Sequence, residues 1–147
     1  MGVFNKSTTQ YTTFEPRYDG NGKVWRQAVA GDTLVAKTPV QIIYNEYGAV
    51  TLALASGTDY YYIGVPAEAA ATGDVVWLQT GGYCSGVVAA GLDVTVGHAF
   101  NITTGAVADV GADYDGNADE FAVCTATTTT TPATQDMMLV DRFILEA

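Results

Sequence analysis

Residues 62–82 read Tyr-Ile-Gly-Val-Pro-Ala-Glu-Ala-Ala-Ala-Thr-Gly-Asp-Val-Val-Trp-Leu-Gln-Thr-Gly-Gly. Two runs of β-branched and aromatic residues, which favour strands, flank an alanine-rich link. Pro66 and Gly73 confine that link to a turn or two, which is too short for a helix that is stable on its own. The stretch therefore predicts two strands with a short connection, and the glycine pair at 81–82 predicts the turn after the second strand.

Short strands of the same kind recur along the chain from about residue 24. Glycine interrupts the sequence every several residues, and this spacing indicates an all-β sandwich or barrel. We place the last strand at residues 137–147, with Asp141 and Arg142 in a bulge or an exposed segment. Five consecutive threonines at 127–131, ended by Pro132, are interpreted as a surface loop. The other strand-like runs lie at 40–44, 50–54, 60–65 and 75–78.

The composition limits the classes of protein to consider. Of 147 residues, 48% are hydrophobic and 15% are charged, so the chain is too apolar for a disordered protein. Sixteen glycines and six basic residues argue against a helical bundle and against a general nucleic-acid binder. No apolar run approaches the roughly 18 residues of a membrane span. The N-terminal residues lack the pattern of a secretory signal, so we expect synthesis in a cytoplasm.

The net charge of −10 is unevenly distributed. Residues 1–37 hold five basic and three acidic residues, a balance of +2, whereas residues 38–147 hold one basic and 13 acidic residues, a balance of −12. Two parts of opposite charge suggest different surroundings for each. The alternative is that the acidic surface only keeps the protein soluble.

Two regions are predicted along the chain, an extended N-terminal arm at residues 1–29 and a β-rich body at 30–147. The arm is polar, with turns at 15–16 and 19–22, and its apolar residues follow no sustained helix or strand periodicity. Its aromatic residues would be unusual on a free tail, so we expect the arm to dock on its own body or on a neighbouring subunit. The predicted contact residues are Phe4, Tyr11, Phe14, Arg17, Tyr18 and Trp25.

The body contains an internal repeat, which predicts two similar halves at about 30–83 and 91–145. The spacing between matched segments varies between 57 and 62 residues, since the loops differ in length. Chance similarity between strands rich in glycine, alanine and valine is the alternative. The matched segments are 30–35 with 91–96, 40–42 with 100–102, 48–50 with 105–107, 63–65 with 121–123 and 74–78 with 136–140.

No set of residues indicates catalysis or a bound cofactor. His98 is the only histidine, lies beside Gly97 and has no nucleophile motif, so we interpret it as a surface residue. Cys84 and Cys124 are expected to be buried free thiols. The acidic stretch at 113–120 lacks the spacing of an EF-hand and is interpreted as an exposed turn. The alternative there is a weak cation site formed by Asp113, Asp115 and Asp119, which a neighbouring subunit could share.

Residues 62–83 resemble the central signature of small head decoration, or cement, proteins of tailed bacteriophages. That signature is a strand ending in Gly-Val, an alanine-rich link, Gly-Asp or Gly-Glu with a valine-rich strand, and then Gly-Gly. The Gly31-Asp32 turn and residues 94–100 and 105–109 are also similar to that group, so the resemblance covers about residues 30–145.

The resemblance implies a β-tulip-like, non-enzymatic protein on the outer surface of the virion capsid, where it stabilises the shell. It implies the major capsid protein and other copies of the chain as partners, as a homotrimer or alternatively a dimer, without nucleic acid or membrane. A basic arm would favour an acidic capsid surface. Two other functions remain open: a subunit of a virion fibre, tail tube or other filament, and a carbohydrate-binding module that uses Tyr60 and Tyr62.

Overall fold

The structure, a computed structural model, describes residues 5–6, 14–45, 48–53, 62–103, 105–117 and 119–142. The predicted all-β class is confirmed, since every element in these residues is a strand. The described residues contain no helix long and apolar enough to cross a membrane. The strands are β1 (Asn5–Lys6), β2 (Arg17–Tyr18), β3 (Val24–Ala30), β4 (Val40–Asn45), β5 (Gly48–Ala53), β6 (Ile63–Pro66), β7 (Asp74–Val88), β8 (His98–Thr103), β9 (Ala106–Asp113), β10 (Ala122–Cys124) and β11 (Thr134–Leu139).

Strand β7 is the centre of the molecule, because it is 15 residues long and pairs with strands from both halves of the chain. Its first part lies between β3 and β6, and its last part pairs with β11. The predicted turn at residues 81–82 is wrong, because the strand continues through both glycines. Gly82 has a φ of +85°, and a Cβ atom there would lie 2.6 Å from the carbonyl oxygen of Gly22. Glycine thus lets β7 change its neighbours without ending.

The strands before and after β7 pair in the same order. In the first half β4 and β5 form a hairpin, β6 pairs with β4, and β7 pairs with β6. In the second half β8 and β9 form a hairpin, β10 pairs with β8, and β11 pairs with β10. Val40 lies opposite Gly64, as Phe100 lies opposite Ala122. These pairings are those that a repeated sequence requires, and the duplication itself stays a prediction.

The two halves differ in one pairing. Strand β3 pairs antiparallel with β7 and parallel with β5, so the hydrogen-bonded path through β5, β4, β6 and β7 returns to β3. In the second half, the last part of β7 pairs antiparallel with β11 as β3 does with the first part of β7, but no described residue of it pairs with β9. Within the described residues, β9 pairs with β8 alone.

Each half has its own cluster of buried side chains. The first packs residues of β3, β4 and β7, with Leu34 and Leu78 among the most buried. The second packs β7 to β11 around Phe100 and Met137 and also includes Ile63 and Val65 of β6. The expectation of buried free thiols is confirmed for Cys84 and Cys124. Both lie opposite Met137 on its two neighbouring strands. Their Cα atoms are therefore roughly 9–10 Å apart, beyond the ~7 Å limit of a disulfide.

A buried ion pair joins the N-terminal and C-terminal parts of the chain beside β7. Arg26 on β3 donates from Nε and Nη2 to the two carboxylate oxygens of Asp141, at 2.9 and 3.2 Å. The hydroxyl of Thr80 on β7 donates to the same carboxylate at 2.6 Å. The predicted last strand, residues 137–147, is thus wrong in its placement of Asp141 and Arg142. The strand ends at Leu139, and both charged residues are buried.

The described residues of the predicted arm pack on the chain's own body. Phe14 is 4% exposed and lies under the Arg26 guanidinium, with 4.9 Å from Cζ to the ring centroid. Its carbonyl oxygen accepts a hydrogen bond from Arg26 Nη1. Residues 24–29 form most of β3, which pairs with β7 over six residues. The division between arm and body at residue 29 stays a prediction.

Replacing Asp141 with alanine would remove the carboxylate that accepts two hydrogen bonds from the buried Arg26 guanidinium. We expect Asp141→Ala to lower the free energy of unfolding by about 3–5 kcal/mol in urea denaturation. Asp32→Ala is the matched control, since Asp32 is exposed and bonds only the next amide, and should change it by less than about 0.5 kcal/mol. The double variant Arg26→Met/Asp141→Leu should recover most of the loss. If Asp141→Ala and the control Asp32→Ala lower the free energy of unfolding equally, the ion pair has no structural role.

Gly82 and Gly86 of β7 both have a positive φ, so alanine variants at the two positions separate the effect of steric contact from that of backbone strain. Gly82→Ala places Cβ against the backbone of Gly22 and Lys23, whereas Gly86, at a φ of +67°, has nothing within 4 Å. Both alanines carry the cost of a left-handed conformation, about 1–2 kcal/mol. We expect Gly82→Ala to be the more destabilising by a further 1–3 kcal/mol or so, measured by thermal unfolding. If Gly86→Ala is equally harmful, close packing at Gly82 is not the reason for its glycine.

Candidate functional site

An arginine and two tryptophans form a patch on the outer face of the first half, which we call the Trp patch (Arg17, Trp25 and Trp77). Arg17 on β2 lies opposite Trp25 on β3. Trp77 on β7 lies opposite Gln27, two residues along β3 from Trp25, so both indoles share one face. The Arg17 guanidinium lies 5.5 Å from the centroid of the Trp77 ring, within the range of a cation–π contact.

The turn before β3 fixes the indole of Trp25. Its Nε1 donates a hydrogen bond to Asp19 Oδ2 at 3.0 Å, and the other carboxylate oxygen accepts from the amides of Asn21 and Lys23. The indole hydrogen bond, helped by these amides, lowers the pKa of Asp19 below its ordinary value of 3.8, against a smaller opposing effect of desolvation. The ionised carboxylate therefore holds one edge of the Trp patch in place.

The surface of the second half is more acidic than that of the first. In the first half Arg17 is exposed and Lys23 and Lys37 are half-buried, beside exposed carboxylates at Glu15, Asp32 and Glu68. Arg142, the one basic residue after residue 37, is only 8% exposed, so it contributes little to the surface of the second half. The exposed carboxylates of the second half are those of Asp93, Asp113, Asp115 and Asp136. An acidic surface repels the first half less than the second, so docking through the first half is the more favourable of the two.

The acidic stretch uses its carboxylates to hold a loop together. Glu120 is buried and accepts hydrogen bonds from the amides of Asp115 and Gly116. Asp115 bonds Asn117, and Asp119 accepts from the amide of Asn101. In the part of the chain that the structure describes, no group of three His, Cys, Asp or Glu residues is arranged to hold a metal ion. Asp113, Asp115 and Asp119 are therefore not gathered into the predicted cation site.

The other predicted contact residues have different positions. Phe4 and Tyr11 lie outside the described residues. Phe14 belongs to the chain's own core, which is one of the two alternatives proposed for the arm. Tyr18 is 66% exposed and points away from the face of Arg17, since neighbouring residues of a strand alternate. Arg17 and Trp25 are thus the pair that the structure brings together on one face.

The proposed sugar platform receives little support from the part of it that the structure describes. Tyr60 and Tyr61 lie outside the described residues. Tyr62 is half-buried and packs against the core of the first half. A residue held in the core offers no free ring face for stacking on a sugar.

His98 and Cys84 have structural roles. His98 Nδ1 lies 3.1 Å from an oxygen of Asp109, which joins β8 to β9. Cys84 is buried, and burial raises the pKa of its thiol, although the Lys37 amine 3.9 Å away opposes that shift. A buried thiol with a raised pKa is a poor nucleophile.

Sequence reasoning missed Trp77 as a surface residue. Trp77 occurs between Val76 and Leu78, and the alternation of a strand places it on the other face from these core residues. The alternation of side chains along the strand is therefore the signal in the sequence that indicates an outward-facing Trp77. Its contact with Arg17 depends on how β2, β3 and β7 align, which the sequence does not specify.

Comparisons with known proteins identify no family for the chain. No protein-family model matches it, and no curated protein matches it. Among solved structures, it is similar to head fiber gp8.5 N base of bacteriophage phi29, at 17% sequence identity and a TM-score of 0.47. The match covers 82% of this chain and 95% of that chain. At this degree of likeness, no function is transferred from that protein to this chain.

The Asp19–Trp25 contact predicts a pH-dependent signal. Because the folded-state pKa of Asp19 is lowered, the ionised contact is present above the unfolded pKa and is lost as the pH falls through the folded one. In a Trp77→Phe background, where Trp25 is the remaining tryptophan, we expect a fluorescence transition with a midpoint below pH 3.8. Adding Asp19→Asn should abolish it. A midpoint at or above pH 3.8 would contradict the hydrogen bond.

Proposed function

We propose that this chain is a structural protein of a tailed-phage virion that binds the outer surface of the capsid and stabilises the shell. The observation that carries the proposal is the resemblance of residues 62–83 to the signature of head decoration proteins. In the fold, this stretch forms β6, the link to β7 and the first half of the central strand. The part of the sequence with the resemblance is therefore the part around which both halves are built.

The surface chemistry supports the same proposal. The first half carries the exposed Arg17 and the two indoles of the Trp patch, whereas the exposed charged side chains of the second half, in the part that the structure describes, are all carboxylates. A cation beside flat aromatic rings suits a protein surface that offers carboxylates and apolar groups. We place the Trp patch against the major capsid protein and the acidic second half towards solvent. Weak contacts of this kind gain strength when many copies bind one shell.

A fibre or filament subunit is the second candidate, and the unpaired edge of β9 favours it. Within the described residues, β9 has β8 as its one neighbour and carries an apolar Val110 at its exposed end. An unpaired edge accepts strands from other chains, and head-to-tail addition that does not close into a ring produces a filament. Light scattering of the purified chain without heads discriminates the two, because a filament subunit polymerises as its concentration rises.

Binding to heads that lack the protein tests the proposal directly. We expect saturable binding, and we expect Arg17→Gln to weaken it by about two- to five-fold, as the loss of one exposed ionic contact does. Thr129→Glu is the matched control, since it makes the same change of net charge on an exposed loop of the acidic half. It should leave binding unchanged.

Two results would count against this account. Absence of saturable binding by the unchanged protein would remove the capsid function. Equal weakening by Arg17→Gln and Thr129→Glu would mean that total charge, rather than the Trp patch, determines docking.

A further inference from the structure

A polar cleft lies on the second half, between the loop that joins β10 to β11 and the exposed side of β11. Its volume of about 360 Å³ is within the range of sites that hold small molecules. We call it the threonine cleft, and its walls are residues 126–130, Pro132, Thr134 and Asp136. Five of these eight residues are threonines, so hydroxyl and methyl groups line the cleft together.

Hydrogen bonds to a neighbouring segment hold the loop of the threonine cleft in shape. Thr127 and Thr128 accept hydrogen bonds at their hydroxyl oxygens from amides of residues 94–96, each at 3.0 Å. The amide of Thr131 donates to the Asp93 carboxylate at 2.6 Å. The loop is therefore fixed before a ligand arrives, and binding pays little entropy to order it.

Three hydroxyl groups of the threonine cleft are available to a ligand. Thr129, Thr130 and Thr134 are exposed, and their hydroxyls form no hydrogen bond with any residue that the structure describes. Each hydroxyl can donate one hydrogen bond and accept two. A ligand whose own groups both donate and accept, as the hydroxyls of a sugar do, matches this set.

Asp136 adds one fixed carboxylate to the cleft. Its Oδ1 atom accepts a hydrogen bond from the amide of Gly86 at 2.9 Å. Its backbone oxygen accepts another from the hydroxyl of Thr125 at 3.1 Å. A carboxylate has about four lone-pair sites, so acceptor capacity remains for neighbouring hydroxyls of one sugar ring.

An exposed aromatic side chain lies beside Asp136. Tyr83 on β7 is opposite Met138, two residues along β11 from Asp136, and is 43% exposed. Desolvation, together with the charge of the Asp136 carboxylate, raises the pKa of the Tyr83 phenol, which shows that the two side chains are neighbours. A ring bound at Asp136 therefore has an aromatic group near its apolar C–H face.

The charge of the second half determines which ligands suit the cleft. Among the residues that the structure describes, this half exposes carboxylates and no basic side chain. Acidic sugars and phosphates are therefore repelled. The cleft itself contains one carboxylate, which is too few for a calcium ion. An uncharged ligand rich in hydroxyl groups is the class that remains.

We propose that the threonine cleft binds a neutral sugar ring, with Asp136 and the hydroxyls of Thr129, Thr130 and Thr134 bonding its hydroxyl groups and Tyr83 beside its apolar face. This inference goes beyond the proposed function, which uses the first half. When the first half docks on the capsid, the cleft stays accessible to a glycan. Its tests use the purified chain without heads, so they fail independently of capsid binding.

Saturation-transfer NMR with three neutral probes, maltotriose, cellotriose and chitotriose, tests the site. We expect at least one probe to bind, and in isotope-labelled protein the amides of Gly86, Thr129 and Thr130 should shift as it is added. The indole signals of Trp25 and Trp77 should not shift. No binding by any of the three probes would overturn the proposal, and so would shifts confined to the Trp patch. Binding of trilysine without any sugar would overturn it as well.

Single substitutions identify the groups that bind the probe. Asp136→Asn keeps an acceptor for Gly86 but removes the charge, and should weaken binding by about five-fold or more. Thr130→Val removes one hydroxyl at nearly constant shape, and should weaken it by about two- to five-fold. The matched controls are Asp113→Asn and Thr72→Val, at exposed positions outside the cleft, and should leave binding unchanged. Equal weakening by a variant and its control would overturn the proposal.

Thr129→Glu separates this inference from the proposed function. It places a second carboxylate in the threonine cleft and should abolish binding of the probe, whereas its binding to heads should stay unchanged. A Thr129→Glu variant that binds the probe as well as the unchanged chain does would overturn the sugar site and would leave the capsid function untouched.

Discussion

The ion pair between Arg26 and Asp141 is the interaction on which the rest of the structure depends. The two residues are 115 positions apart, and the hydroxyl of Thr80 on β7 donates to the same carboxylate. Buried charges are costly to desolvate, so the pair is weak evidence for net stability. Its effect is to specify an arrangement: β3 and the end of β11 meet beside β7 only where both charges find their partners.

This junction explains how one strand serves two halves. Strand β3 pairs with residues 75–81 of β7 and β11 pairs with residues 82–88, so the partner of β7 changes between the two glycines. Gly81 leaves little room for a side chain, because a Cβ there would lie 3.0 Å from the side chain of Val24 and 3.4 Å from that of Asp141. The last part of β7 thus pairs with β11 as β3 pairs with the first part of β7, although within the described residues it does not pair with β9 as β3 pairs with β5.

Sequence reasoning predicted the features that depend on local pattern. The all-β class, the free thiols and the strands around the alanine-rich link follow from residue type and alternation. It failed at residues 81–82, because paired glycines usually mark a turn and here allow close backbone contact. It failed at Asp141, because a charge in a strand pattern indicates exposure unless its distant partner is known. The Trp patch depends on the alignment of three strands, and no short stretch of sequence contains that information.

The central claim is that β7 is one strand shared by both halves, so that neither half unfolds alone. Native-state hydrogen exchange of its amides tests this most directly. The account predicts the same free energy of opening, equal to that of global unfolding, for residues 75–78, paired with β3, and for residues 83–87, paired with β11. Two distinct free energies, one for each end of β7, would show that the halves open separately and would contradict the account.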